Sequence, residues 1–554
     1  MSKSFKPLPS SLSTLALASL TAFTALGLTH PARAATTETC DPYEQYECLD
    51  SYLGTGFWER LANYYKLEMG KAVPPADPNA GPSRRDDFPP AAQTMPPMPF
   101  TEWPYGGTDP MGATLPNNVD SPLMAALDNT RLGKWMDENH MEVYGWFDIG
   151  ANLSTSNVNG GNAPAAYDYQ PNTLDLDQAV IYVDRFPDMV QKDHMDWGYR
   201  LSMIYGSDYR YTTSYGLLSQ QLLKYNKTNG FDFPMLYAQW YFPQVAQGLL
   251  VRVGRYISLP DIEAQLAPNN YMYTHSMTYV YDNYTNTGII NSVALNRNWI
   301  IQGGLTVGTE ATINHLTQTA NNPFPNPWYP NSTFKLDPGS MPTVTACGRW
   351  NSDEGGDDVN FCANSINKGT YGYNNLQWYG VTYYHQFDDK WHMAAEIYNE
   401  HQNKVPNYNY SYTQGGVQYN YTDVIAAGGS PFGQKLMPYN APSAAFCSNH
   451  DVLTCRSSST GLTGYLNYSW DPLNNLSLRP ELYLDLQGQR TGTPARYTNL
   501  ALGWQHWFSP QIEVRPEIAY YHASAPAFNG NSNLGISPDH KIQTVVSGDL
   551  IWHY

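Results

Sequence analysis

Long apolar runs are nearly missing from this 554-residue chain. Beyond residue 34 nothing approaches the roughly 18 consecutive apolar residues that a membrane-crossing helix needs, so helical spans are excluded from the rest of the chain. Charge is scarce at 14% of residues, and its balance is acidic, with a formal net charge of -18. That sign makes nucleic acid an unsuitable partner. The six cysteines show no C-x-x-C spacing, which argues against a zinc-type site. G-x-x-x-x-G-K-[ST], H-E-x-x-H, G-x-S-x-G, G-x-G-x-x-G and the EF-hand loop are all missing. The chain therefore offers no recognisable phosphate cradle, zincin pair, nucleophile elbow or dinucleotide fingerprint, and no cofactor is expected.

Aromatic residues are plentiful: 44 Tyr and 15 Trp within a 14% aromatic fraction. Mean hydropathy is nonetheless only -0.48. A wall of strands that is apolar on every second residue has this signature, with its aromatics gathered in belts at two interfaces. Residues 1–34 read as a secretory signal: Lys3 and Lys6 lead an apolar stretch that ends at Ala32-Arg33-Ala34. Its removal takes away three cations and no acid, moving the charge to about -21. All six cysteines lie beyond that point. Among the 15 connectivities that six cysteines allow, neighbour pairing of Cys40/Cys48, Cys347/Cys362 and Cys447/Cys455 is the simplest in an oxidising compartment.

The segment 540–554, HKIQTVVSGDLIWHY, alternates strictly. Val546, Gly548, Leu550, Trp552 and Tyr554 share one face; Gln543, Val545, Ser547, Asp549, Ile551 and His553 share the other. Only a pleated strand has that period of two. Further candidate strands fall at 143–152, 174–184, 197–207, 235–242, 248–257, 289–295, 299–308, 376–386, 391–400, 461–470, 476–485, 497–507 and 511–522. Short connections (243–247, 296–298, 387–390, 471–475, 508–510 and a slightly longer 185–196) alternate with long ones, of which 310–375 and 401–460 are the longest. The fold expected is all-β: a transmembrane, antiparallel up-and-down β-barrel of about 14 strands, within 12–16, with tight periplasmic turns and long outer loops. On this reading Cys347/Cys362 and Cys447/Cys455 each shorten one of the two longest loops.

An Arg or Lys facing lipid at mid-depth costs ~2–4 kcal/mol, so the charged face of each strand must be the inner one. That rule selects Arg200, Arg252, Glu396, Glu400, Arg479, Glu481, Asp485, Glu513, Arg515, Glu517 and Asp549 as lumen residues. They either pair across strands and stiffen the wall or polarise a channel. Pro480 and Pro516 sit inside strands in matching R-P-E triplets, where a bulge is expected. Asp175 and Asp177 share a face with Ala179, Ile181 and Val183, so either another bulge or a misplaced strand is expected there. Upstream, residues 35–139 form an arm, periplasmic or plugging the barrel mouth, ahead of a barrel spanning 140–554. The arm holds a short helix at 57–69, with Trp58, Leu61, Tyr65 and Met69 near one face, and a proline-rich stretch at 73–122 that forbids a regular ladder. Asp353, Glu354, Asp357 and Asp358 cluster in the longest loop as oxygen donors, a pattern more typical of a solvated loop than of a metal site.

Pro99-Phe-Thr-Glu-Trp-Pro-Tyr-Gly-Gly107, Asp120-Ser-Pro-Leu-Met124, Tyr144-Gly-Trp-Phe-Asp148, Trp197-Gly-Tyr-Arg-Leu-Ser-Met-Ile-Tyr-Gly206, Arg252-Val-Gly-Arg-Tyr256, Thr285-Asn-Thr-Gly288 and the two R-P-E strands resemble the beta-barrel porin-2 family of bacterial outer membranes. The closing strand, ending on an aromatic, resembles the signal by which the barrel assembly machinery selects its clients. The resemblance implies an outer-membrane location, the lipid bilayer as partner, passive solute passage and no catalytic residues; a homotrimer is one assembly it allows. The expected function is diffusion of small hydrophilic solutes with mild cation preference, and no enzymatic activity. A non-conducting structural barrel, a barrel enzyme using Asp539-His540, and a secreted carbohydrate-binding β protein are the alternatives. The Tyr-rich connection 258–288, carrying Asp261 and Glu263, is long enough to fold inward as a constriction loop.

Overall fold

The computed structural model describes residues 41–42, 48–69, 85, 87–89, 111–112, 121–165, 167–223, 225–257, 259, 261–313, 340–370, 375–414, 417–420, 444–452, 454–531 and 534–554. The proposed signal, Cys40 and nearly all of the proline-rich stretch lie outside these residues.

Sixteen antiparallel strands close on themselves. They are β1 (Glu142–Ser154), β2 (Leu174–Arg185), β3 (Asp196–Gly206), β4 (Gly230–Asp232 and Leu236–Phe242), β5 (Leu249–Ile257), β6 (Thr285–Ala294), β7 (Trp299–Thr309) and β8 (Thr343–Asn351). The wall continues through β9 (Asp357–Ile366), β10 (Gln377–Gln386), β11 (Trp391–Pro406), β12 (Thr454–Asp471), β13 (Asn474–Asp485), β14 (Ala495–Ser509), β15 (Ile512–Val514 and Glu517–Ala523) and β16 (Ile542–His553). Each strand pairs with its sequence neighbours, and β16 pairs with β1 from Trp146↔His553 to Ser154↔Val545, so the sheet has no free edge.

Alternation sets the two faces. In β14, Tyr497, Asn499, Ala501, Gly503 and Gln505 are buried, whereas Leu500, Leu502 and Trp504 are exposed. Outward apolar side chains such as Phe361, Leu500 and Val546 are about half exposed all round the barrel. A soluble wall would not carry so continuous an apolar surface; a lipid-facing one requires it. Trp197, Trp299, Trp391, Trp470, Trp504 and Trp552 stand outward near the short-turn end, and Trp470 and Trp504 stack with ring centroids 6.4 Å apart. They mark one interfacial girdle.

Two strands beyond the fourteen expected occupy the region read as the longest outer loop. β8 and β9 form a hairpin around residues 352–356, and Cys347 lies directly opposite Cys362, to which it is disulfide-bonded. This bridge therefore staples two wall strands rather than shortening a loop. The acidic run sits at a tight turn and disperses: Asp358 pairs with Arg349, Asp357 accepts from Tyr383, and Asp353 meets Asn298. Cys447–Cys455 does lie at the end of a long outer connection.

The prolines are absorbed without an inserted residue. Pro480 stands opposite Leu500 in an unbroken ladder with β14, and register on the β12 side is the same before and after it. At Pro516 β15 divides in two, yet its pairing with β16 keeps one register across the gap. A lost N–H interrupts the ladder locally, and outward exposure relieves the ring. In β2 the expected bulge exists: the register slips between Asp148 and Ile149, and Asp177 and Gln178 are both buried.

At the short-turn end, helices α1 (Leu49–Leu53), α2 (Phe57–Glu68), α3 (Pro122–Leu127) and α4 (Arg131–Glu138) precede the barrel. Of the expected Cys40/Cys48 pair only Cys48 is described. It is buried at the N-cap of α1, its carbonyl accepts from Ser51 Oγ at 2.9 Å, and its sulfur is in a disulfide. The expected partner, Cys40, lies outside the described residues, so this pairing does not stand beside the two bridges seen in full.

The buried face of α2 carries Arg60, Tyr64, Leu67 and Glu68, not Trp58, Leu61, Tyr65 and Met69; Trp58 is 77% exposed. Apolar periodicity misleads here because Arg60 is the packing residue, donating to the Ala125 carbonyl and pairing with Asp50 and Asp128. Glu68 accepts from Gln511 (2.6 Å), and Tyr65 donates to the His553 carbonyl, which docks α2 on the barrel rim. Phe88 and Met111 share an apolar cluster with bore-facing Tyr241, Leu250, Ala294 and Ile300.

Candidate functional site

The connection between β5 and β6 runs through the bore. Every residue from Asp261 to Tyr284 is buried, although the segment contains only a 3-10 turn (Ala267–Asn269) and one short helix, α5 (Met277–Val280). A segment without a ladder must satisfy its backbone groups elsewhere. Here side chains of the wall and of the loop between β13 and β14 do this from several sides. Arg479 donates to the Thr274 carbonyl, Arg515 to the carbonyls of Ala267 and Asn270, and Arg490 to those of Tyr281 and Asp282. Carboxylates accept from the segment's amides: Glu396 from Ile262 (3.0 Å), Glu517 from Thr274 (2.9 Å) and Glu481 from Thr278 (2.6 Å). Tyr398 donates to the Thr278 carbonyl and Gln178 to the Gln265 carbonyl.

The residues singled out by sequence all face inward, and the segment explains their positions. Arg479 bridges Glu263 (3.4 Å) and Glu517 (3.5 Å), while Arg515 pairs with Asp549. Glu400 meets Arg490 at 3.1 Å and accepts from Ser459 at 2.7 Å. Arg200 pairs with Asp184 at 2.7 Å and donates to Tyr144. Glu513 accepts from Gln505, and Asp485 accepts the amides of Gln489, Arg490 and Thr491 at the start of an outer loop. Arg252 is half-buried, opposite Gln239 and 4.4 Å from the Tyr237 ring centroid. Most of these charges thus hold the crossing segment or pair across strands, rather than projecting into a wide water column. Glu263 accepts from Ser276 and Tyr465, and Asp261 lies at the segment's start.

The part of the bore beside β1 and β2 is different. A cleft there is lined by Asp168, Asp175, Asp177, Ser207, Arg210 and Tyr273, drawn from β2, two loops and the crossing segment. Tyr273 and Ser207 both donate to Asp177 (2.9 and 2.7 Å). Burial holds the Asp168 carboxyl well above the usual range, with the Glu517 and Asp177 charges adding to it. Asp208, beside the cleft, is raised by burial and then by Asp177. His275 on the crossing segment is pushed well below the ordinary imidazole value by burial and is neutral, set against the Ala264 carbonyl. Asp168, Asp208 and Arg210 escaped the sequence reading because they sit on loops without periodicity. Asp148 could have been found, since its neighbours Phe147 and Ile149 are outward.

A family model described as "Putative beta-barrel porin-2, OmpL-like" matches residues 140–554, the whole of the barrel. The chain belongs to that family. Its members are porin-type barrels of the bacterial outer membrane, and this places the protein there. No curated protein matches the chain. Among solved structures it is similar to an anion-selective porin from Comamonas acidovorans (8% identity, 75% of this chain and 99% of that one, TM-score 0.43). It is also similar to the outer membrane channel DcaP of Acinetobacter baumannii (10%, 75% and 97%, TM-score 0.42) and to OmpT of Vibrio cholerae in its trimer form (9%, 75% and 99%, TM-score 0.39). The porin-2 barrel described here has apolar strands outside and hydrogen-bonded charge within, and none of its described helices is long and apolar enough to cross a membrane.

Proposed function

We propose that this porin-2 barrel passes small hydrophilic solutes passively through the cleft left between the crossing segment and β1–β3, with mild preference for cations. One observation carries the reading. Arg479, Arg490 and Arg515 spend their donors on the segment's carbonyls and on wall carboxylates, so positive charge is drawn to the β13–β15 side. The lining of the cleft sets Asp168, Asp175 and Asp177 against the single guanidinium of Arg210. Carboxyl oxygens crowded along a narrow passage attract cations, whose charge in turn favours the ionised carboxylate, and they slow anions. The barrel performs no chemistry in this reading, and a homotrimer engaged during biogenesis by the assembly machinery through β16 is its expected form.

A second reading is favoured by the apolar cluster in which Phe88 and Met111 meet bore-facing Tyr241 and Leu250. There the arm fills the mouth, and the barrel is closed until the arm leaves. Reconstitution of purified protein into planar lipid bilayers separates the two. An open channel with a cation-selective reversal potential in a KCl gradient supports the first reading. Silence relieved by deleting residues 35–139 supports the second.

A further inference from the structure

Most of the bore's carboxylates are served by donors. Asp184, Asp232, Asp358, Asp549, Glu263, Glu400 and Glu517 each meet an arginine. Glu481, Asp485 and Glu310 accept from amides and neutral side chains. Asp261, Asp282 and Glu396 stand apart as a group. These three are buried to 2% exposure or less, and one carboxylate oxygen from each lies within 4.8 Å of the others. Both oxygens of Asp261, both of Asp282 and Oε1 of Glu396 are buried and meet no donor among the described residues; only Glu396 Oε2 is served, by the Ile262 amide. The charges that act on them are other carboxylates, namely Glu263, Glu400 and Glu481. Neutral oxygens stand by: Thr382 Oγ1, opposite Glu396 in the ladder, and Asn283 Oδ1, next to Asp282, are also buried without a donor.

Three buried carboxylates with five bare oxygens leave two ways to balance the charge: protons, or a hard cation. The placement is also telling. Asp261 opens the crossing segment, Asp282 closes it, and Glu396 belongs to β11 of the wall. We propose that Asp261, Asp282 and Glu396 bind a hard divalent cation of the calcium class, which ties both feet of the crossing segment to the wall. Oxygen-only donors of mixed charge, drawn from irregular and regular elements together, suit calcium's high and irregular coordination better than the strict octahedron of magnesium.

Cation binding at this site does not depend on conduction and is measured directly. Full-length protein, folded in detergent and stripped with EDTA, is titrated with calcium chloride at pH 7.5 by calorimetry, alongside Glu396→Gln and Asp282→Asn. The expected result is calcium uptake by the wild type that either substitution weakens at least tenfold, with calcium raising the thermal midpoint of the wild type only. Glu396→Asp keeps the charge and guards against loss of folding; it is expected to retain uptake at reduced affinity. A wild type that takes up no calcium, its carboxyls balanced by shared protons, overturns the proposal. So does uptake of equal affinity in all the folded variants.

Discussion

Arg515 and Asp549 face each other across β15 and β16, both buried, and the same guanidinium reaches the carbonyls of Ala267 and Asn270 on the crossing segment. One side chain thus serves the wall and the segment at once. Removing one partner of a buried pair strands the other charge and costs about 3–5 kcal/mol, whereas replacing both by apolar groups costs far less. Arg515→Gln should therefore lower the thermal unfolding midpoint markedly, and Arg515→Leu combined with Asp549→Leu should recover much of the loss. Equal losses in the single and double variants would show that the pair is not the anchor.

The outward register is open to an equally direct check. Leu500 is half exposed at mid-strand, and Leu500→Lys should cost about 2–4 kcal/mol for folding into vesicles, read by urea titration. Indifference to this substitution would place Leu500 away from lipid.

Docking of α2 should depend on pH. Burial raises Glu68 to about 7 against hydrogen bonds from Gln511 and Tyr64. Because the docked value exceeds that of a free glutamate, docking binds a proton. Its stability is fully present below about 4.5 and is lost as pH rises through about 7. Hydrogen exchange across Phe57–Glu68 should quicken over that interval, and Glu68→Gln should flatten the dependence. Exchange that slows as pH rises, after correction for intrinsic rates, would contradict the buried site.

Cys347 and Cys362 enclose a separation of 15 residues within strands that are already paired. Closing a loop of that size is worth about 3 kcal/mol in the unfolded chain. The double Cys→Ser variant should lose up to that amount in unfolding experiments and keep wild-type conductance, since the bridge staples the wall and not the crossing segment. Altered conductance would mean that the bridge shapes the passage.

If the cleft carries the current, Asp177→Asn should reduce cation preference in the reversal potential, while Asp388→Asn, on the exposed turn before β11, should not. An equal effect from the two would remove the cleft from the path.

The faces of β13, β15 and β16 were legible in sequence because Arg479, Glu513 and Asp549 cannot face lipid, so every second residue declares its side. β8 and β9 were not, because their outward residues include Ala346 and Gly348, too small to mark an apolar face, and the acidic turn between them resembles a loop. That the stretch from Asp261 to Tyr284 could reach inward was legible from its length. Its path was not, because that path is fixed by arginines and carboxylates distant in sequence, and nothing in its own order announces them.

The account rests on the crossing segment, more than the sixteen-stranded wall, setting what passes. Swelling of liposomes that contain the wild-type protein, in sugars of graded size, tests this most directly. Rapid entry of monosaccharides with exclusion of longer oligosaccharides is the predicted result. Entry of oligosaccharides at rates fixed by the full barrel width would contradict it.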